Sequence, residues 1–124
     1  MKIACGTDII EIERVKKSID NIGEKFLEEI YTKSEIAYCE SRRKAKYQHY
    51  AARFAAKEAA FKALNSILED KFSISWQNIE IINDNNGKPS LNFIDRAFPQ
   101  IASIDISISH CKVYAVATVV MLYD

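Results

Sequence analysis

The sequence predicts an α+β fold: a mainly antiparallel sheet packed against a long central helix and shorter N-terminal helices. Three observations carry this. Beyond a first short strand, helical patterning fills the chain to about Leu68, and strand patterning fills the rest. The stretch Lys46–Leu68 is alanine-rich and holds neither Gly nor Pro, so it favours one long helix intrinsically. Helices in one block and strands in another do not alternate as parallel βαβ units would.

Lys2–Ile10 reads as the first strand, interrupted by Gly6 and Asp8. Glu11–Tyr31 is helical in pattern, in two pieces hinged near Gly23. Thr32-Lys33-Ser34-Glu35 has capping-box spacing, so a new helix starts there with Ile36, Ala37 and Tyr38. In the long helix Tyr47, Tyr50, Phe54, Phe61, Leu64 and Leu68 share one side. Trp76–Asn83 then alternates as a strand, Asp84–Pro89 turns, and Ser90–Phe93 returns. A short helix or loop over Ile94–Gln100 leads to strands at Ser103–His110 and Tyr114–Leu122.

With 124 residues, 48% hydrophobic, the chain can build one core, and no repeat or linker divides it; residues 1–124 are read as a single domain. No apolar run reaches the roughly eighteen residues of a membrane span. The start Met1-Lys2-Ile3-Ala4-Cys5 has no signal-peptide layout, so a cytoplasmic location is expected. Cys5, Cys39 and Cys111 are odd in number and widely spaced, which fits incidental thiols better than a disulfide framework or metal set. Net charge is zero, but residues 41–62 hold seven basic side chains against one acid, Glu58. Such a local field attracts phosphates or an acidic partner; the plainer reading is a solvated helix face.

That single acid sits among Ala55, Ala56, Ala59 and Ala60, in a helix middle apolar nearly all round. A buried carboxylate needs a compensating cation or donors. Lys62, four residues on, offers an ordinary helix salt bridge. A metal ion is the alternative. Asp8 is a second acid in an unfavourable place, at the end of an apolar strand. It suits either a helix cap for the segment starting near Glu11 or a second metal ligand. Two carboxylates with few other ligands match the way Mg²⁺ is held, with waters and substrate phosphates completing its shell.

Gly6-Thr7-Asp8-Ile9-Ile10-Glu11-Ile12-Glu13-Arg14-Val15 resembles the opening motif of the holo-acyl-carrier-protein synthases, compact members of the 4'-phosphopantetheinyl transferases. Arg53–Leu64, with Lys57-Glu58 followed by Lys62, resembles their long-helix motif. Asn86-Gly87-Lys88-Pro89 resembles their hairpin turn, and Ser107-Ile108-Ser109-His110 a strand motif near their C-terminus. Four motifs in order and register make the resemblance specific. Asn65-Ser66-Ile67 stands where relatives usually place a glycine-rich turn, and Cys111 where they often carry a small polar or acidic residue; no contact is assigned at either place.

The resemblance implies a magnesium enzyme, with a role in fatty acid biosynthesis. It moves 4'-phosphopantetheine from coenzyme A to a serine of an acyl carrier protein, releasing adenosine 3',5'-bisphosphate. Asp8 and Glu58 would hold Mg²⁺ at the pyrophosphate. Lys62, with Lys57 or Arg53 nearby, would neutralise the leaving phosphate. Glu58, or a water on the metal, would take the serine proton. His110 would contact the coenzyme A nucleotide, although a strand-end histidine is as readily a structural polar group. His49 belongs to no motif and is read as surface. Arg14, Lys17 and Lys25 would dock the acidic carrier. The family's homotrimers, with active sites at subunit interfaces, would leave the apolar Val113–Leu122 for a neighbour to cover.

The rival readings are a nucleic-acid-binding module built on the Arg42–Lys62 basic stretch, which Glu58 argues against, and an interaction protein, which leaves Asp8 and Glu58 idle. No membrane or nucleic acid is expected as a partner. A broader transferase for peptide-synthetase carriers would be about twice as long.

Overall fold

The computed structural model describes residues 1–69 and 74–124. Its elements are β1 (Lys2–Glu11), α1 (Ile12–Ile22), α2 (Glu24–Ile30), α3 (Lys33–Ser41), α4 (Lys46–Asn65), β2 (Ile79–Asn83), β3 (Pro89–Phe93), β4 (Ile101–His110) and β5 (Tyr114–Tyr123). The expected α+β class is the observed one. An antiparallel sheet in the order β1-β5-β4 and a hairpin β2-β3 pack around α4.

Two strands differ from the sequence reading. β1 is not interrupted at Gly6 or Asp8, because β5 pairs with it residue for residue from Lys2↔Tyr123 to Glu11↔Tyr114. Ladder pairing along the whole strand outweighs the poor strand propensity of two residues. Alternation along β1 turns Ala4, Gly6, Asp8 and Ile10 inward and leaves Ile3 and Ile9 bare on the outer face. Asp8 is therefore mid-strand and not a helix cap; Glu11 holds the cap position of α1, without a side-chain bond. The second difference is at Trp76–Asn78, a 3₁₀ turn locked by reciprocal Ser75–Asn78 bonds, so strand begins only at Ile79.

Gly23, at φ 79°, makes the hinge between α1 and α2, a conformation that costs a Cβ-bearing residue energy. The capping box closes as expected: Thr32 Oγ1 accepts from the Glu35 amide, and Glu35 Oε1 accepts from the Thr32 amide. The long helix stops at Asn65, short of Leu68, where the chain tightens through Ser66 N–H to Ala63 and Ile67 N–H to Leu64. Its alanines at 51, 52, 55, 56, 59, 60 and 63 are all buried. Small side chains on several sides let strands approach α4 from more than one direction. One core lies between α4 and the sheets, the other where α1, α2 and α3 pack on its first half.

Cys5 and Cys111 are exposed and Cys39 buried, all as free thiols, in keeping with incidental cysteines. Among the described residues no helix is long and apolar enough to cross a membrane.

Candidate active site

The site begins where β1 and α4 touch. A Cβ built on Gly6 would lie 1.9 Å from the Ala59 carbonyl oxygen, so only glycine allows the helix to lie this close to the strand. Two residues on, with the same inward orientation, is Asp8; one turn of α4 carries Glu58 and the next Lys62. The Lys62 ammonium reaches across to β1, donating to the Thr7 carbonyl at 2.9 Å and to Asp8 Oδ1 at 3.3 Å. The salt bridge within the helix is thus not made: Lys62 is engaged by Asp8, and Glu58 has no ion pair among the described residues.

Glu58 is half-buried, and its carboxyl is pushed above the usual carboxylate range, chiefly by burial and then by the Asp8 charge, with Lys62 pulling the other way. A half-buried carboxyl whose ionised form is disfavoured by burial and by a second acid nearby, with the one adjacent lysine already engaged by that acid, suits a divalent cation. Among the described residues no three His, Cys, Asp or Glu gather in metal-ligating range. That sparse donor set excludes a closed zinc or calcium cage here and fits Mg²⁺, which needs one or two carboxylates.

Arg53 and His110 meet elsewhere. Arg53 is five residues before Glu58, so the two point about 140° apart around the helix. The Arg53 guanidinium stacks 4.1 Å over the Tyr38 ring and donates to Asn83 Oδ1, while Asn83 Nδ2 holds the Gly87 carbonyl at 2.9 Å. Helix and hairpin turn are tied together by that relay. The Arg53 Nε is buried without a hydrogen-bond partner among the described residues. Tyr38, His49, Arg53, Asn83, Gly87 and His110 line a pocket of about 190 Å³. His49 is not the surface residue expected from its lack of motif. It is half-buried, edge-on to Tyr38 at 5.4 Å and to His110 at 6.4 Å between ring centroids. Nothing in the local sequence marks it, because β4 supplies its neighbour from sixty residues away.

Lys57 belongs to neither place. Its side chain is wholly buried, 2.5 Å from Glu35 Oε1, and donates to the carbonyls of Ile30 at 2.7 Å and Trp76 at 3.1 Å. Burial lowers its pKa, and Glu35 opposes that. Glu35 Oε2 also accepts from the Ile81 amide at 2.8 Å. The ammonium that the resemblance set beside the leaving phosphate instead ties α2, α3, α4 and the Trp76 turn together inside the protein, with β2 joined through Glu35. Sequence reading grouped it with the phosphate-facing lysines because its partner is contributed by another helix.

Arg14 and Lys17 are exposed one turn apart on α1, and Lys25 is exposed on α2. Arg14 also edges a small cleft with Ile10, Phe26 and Phe54. Ile10 follows Asp8 on the inward face of β1, and Phe54 precedes Glu58 by one turn. The cleft therefore lies next to the elements that carry the acid pair, with Arg14 at its edge.

The family model described as the 4'-phosphopantetheinyl transferase superfamily matches residues 4–119. A curated relative from Ruminiclostridium cellulolyticum, a holo-[acyl-carrier-protein] synthase, is 46% identical over 98% of this chain and 92% of its own length. Another of that name from Protochlamydia amoebophila is 45% identical over 94% of this chain and 95% of its own. Among solved structures, the holo-(acyl-carrier-protein) synthase of Bacillus anthracis in complex with CoA (3',5'-ADP) superposes with a TM-score of 0.80, at 35% identity, covering 98% of this chain and 96% of that one. The Helicobacter pylori synthase in complex with coenzyme A gives 0.82 at 33% identity, covering 95% and 99%.

Proposed function

This chain belongs to the 4'-phosphopantetheinyl transferase superfamily, and from that premise we propose that it is a Mg²⁺-dependent holo-acyl-carrier-protein synthase. It transfers 4'-phosphopantetheine from coenzyme A to a serine of an apo-acyl carrier protein. The observation that carries the reading at the level of residues is the approach of Asp8 and Glu58 beside the Gly6–Ala59 contact, with Lys62 paired to Asp8.

Asp8 and Glu58 would hold the Mg²⁺, which supplies Lewis-acid stabilisation of the pyrophosphate charge. Glu58, or a water on the metal, would take the proton from the serine hydroxyl. The serine oxygen forms a bond to the β-phosphorus, and the bond from that phosphorus to the bridging oxygen breaks. Adenosine 3',5'-bisphosphate leaves with the electron pair. The exposed Lys62 ammonium stands over the same spot to offset charge on the leaving phosphate. Arg14, Lys17 and Lys25 present the cationic face that receives the carrier.

The nucleotide of coenzyme A goes to the Arg53–His110 pocket. At about 190 Å³ that pocket is smaller than the ~300–1,000 Å³ that encloses a whole drug-sized ligand; it suits one heterocycle. Within one chain the pocket and the acid pair lie on opposite sides of α4, over opposite edges of the sheet. A complete site therefore takes the acid side of one copy and the pocket side of another, as in a trimer closed by a head-to-tail interface. Ile3, Ile9, Val113 and Tyr114, all at least 45% exposed, give neighbouring copies apolar surface to cover.

Incubation with apo-carrier, coenzyme A and Mg²⁺ tests the activity through the prosthetic-group mass increase on the carrier. Loss of that increase on chelation, restored by Mg²⁺, is the expected result. Transfer that survives chelation removes the metal assignment.

A further inference from the structure

We propose that His49 is a substrate-contacting residue of the nucleotide pocket, giving the purine of coenzyme A a ring wall and an in-plane hydrogen-bond acceptor. The inference rests on the reading of that pocket as the nucleotide site and adds a residue no motif points to. His49 lines the pocket beside His110 and meets Tyr38 edge-on. Three aromatic rings thus border a space the size of one heterocycle.

Polar supply in the pocket decides what His49 can add. Arg53 is a donor only. The Asn83 amide is spent, its oxygen on Arg53 and its nitrogen on the Gly87 carbonyl. Among the side chains named here, acceptor capacity is left to the imidazoles and the Tyr38 hydroxyl. Adenine carries an exocyclic amino group that must find an acceptor when buried. Burial, then the nearby Arg42 and Arg53 guanidiniums and His110, hold the His49 pKa down to about 4. Its ring is neutral at physiological pH, with one nitrogen free to accept.

The test is calorimetric binding of adenosine 3',5'-bisphosphate and coenzyme A to the intact protein, alongside steady-state transfer. His49→Phe keeps a ring against Tyr38 and removes both nitrogens; His49→Gln restores an acceptor without the ring. For His49→Phe the expected weakening is roughly three- to tenfold, the size of one neutral hydrogen bond, appearing mainly in KM for coenzyme A. His49→Gln should recover part of it. A coenzyme A analogue carrying hypoxanthine should bind wild type and His49→Phe about equally. Unchanged coenzyme A affinity in a folded His49→Phe protein overturns the inference while leaving the pocket reading intact. Wild-type affinity in both Arg53→Ala and His110→Ala overturns it together with its premise.

Discussion

The side of α4 that faces β1 and the side that faces β4 are cut from one alanine-rich helix, yet they meet opposite electrostatic conditions. Towards β1, one lysine pairs with Asp8 and leaves Glu58 without an ion pair among the described residues, and Glu58 holds its proton more tightly than an ordinary acid. Towards β4, a buried guanidinium and two imidazoles gather, and His49 binds its proton too weakly. One side lacks a cation, the other an anion. The proposed substrate, a magnesium-bound pyrophosphate joined to a purine nucleotide, would answer both. Under the proposed assembly, the separation around the helix set by the five-residue spacing of Arg53 and Glu58 is what a second copy would bridge.

The largest effect that would break this comparison is on chemistry. Glu58→Gln should cut transfer by at least about 100-fold, while binding of adenosine 3',5'-bisphosphate at the other side persists. Near-normal transfer in that variant removes the acid side from the mechanism. Next comes a mixing experiment between Glu58→Gln and Arg53→Ala proteins, each impaired alone. Reassembled together at equal amounts, they should regain about one quarter of wild-type activity, the statistical share of interfaces that join two intact sides. No recovery would mean that one chain supplies both.

Stability sharpens the picture between the two sides. Lys57→Met leaves Glu35 charged and unpaired in the interior, and should cost about 3–5 kcal/mol in a denaturant titration. Adding Glu35→Gln should return part of it. Gly6→Ala forces a methyl group against the Ala59 carbonyl; a cost of about 1–3 kcal/mol is expected, with a fall in transfer as Asp8 and Glu58 move apart. The smallest effect is in pH. The folded protein holds His49 at a pKa of about 4, below the 6.5 of a free histidine, so the unfolded chain takes up more protons in between. Stability from this residue is full above pH 6.5 and falls as the pH drops towards 4. His49→Phe should flatten that part of the unfolding-midpoint profile.

Most of the fold was legible because its signals are local. The capping box at Thr32, the Gly23 hinge, the Gly- and Pro-free α4 and the Asp84–Lys88 turn are each set by residues a few positions apart. What failed to read is what tertiary contact decides. β1 passes through Gly6 and Asp8 because β5 runs alongside and Ala59 needs the space. Asp8 and Glu58 stand out as acids in apolar settings, so their pairing could be expected from cost alone. Lys57 carries no such mark, since burial of a lysine depends on an acid from another helix. His49 is silent for the same reason, its partner being on β4.

The bare isoleucines of β1 carry a consequence for how much work a given amount of protein can do. If each reaction centre is assembled from two chains, turnover per chain falls on dilution, once copies part and Ile3 and Ile9 return to water. A chain crippled on both sides of α4 would spoil two centres, each shared with a healthy neighbour, so a minority of such copies would remove up to twice its own share of output.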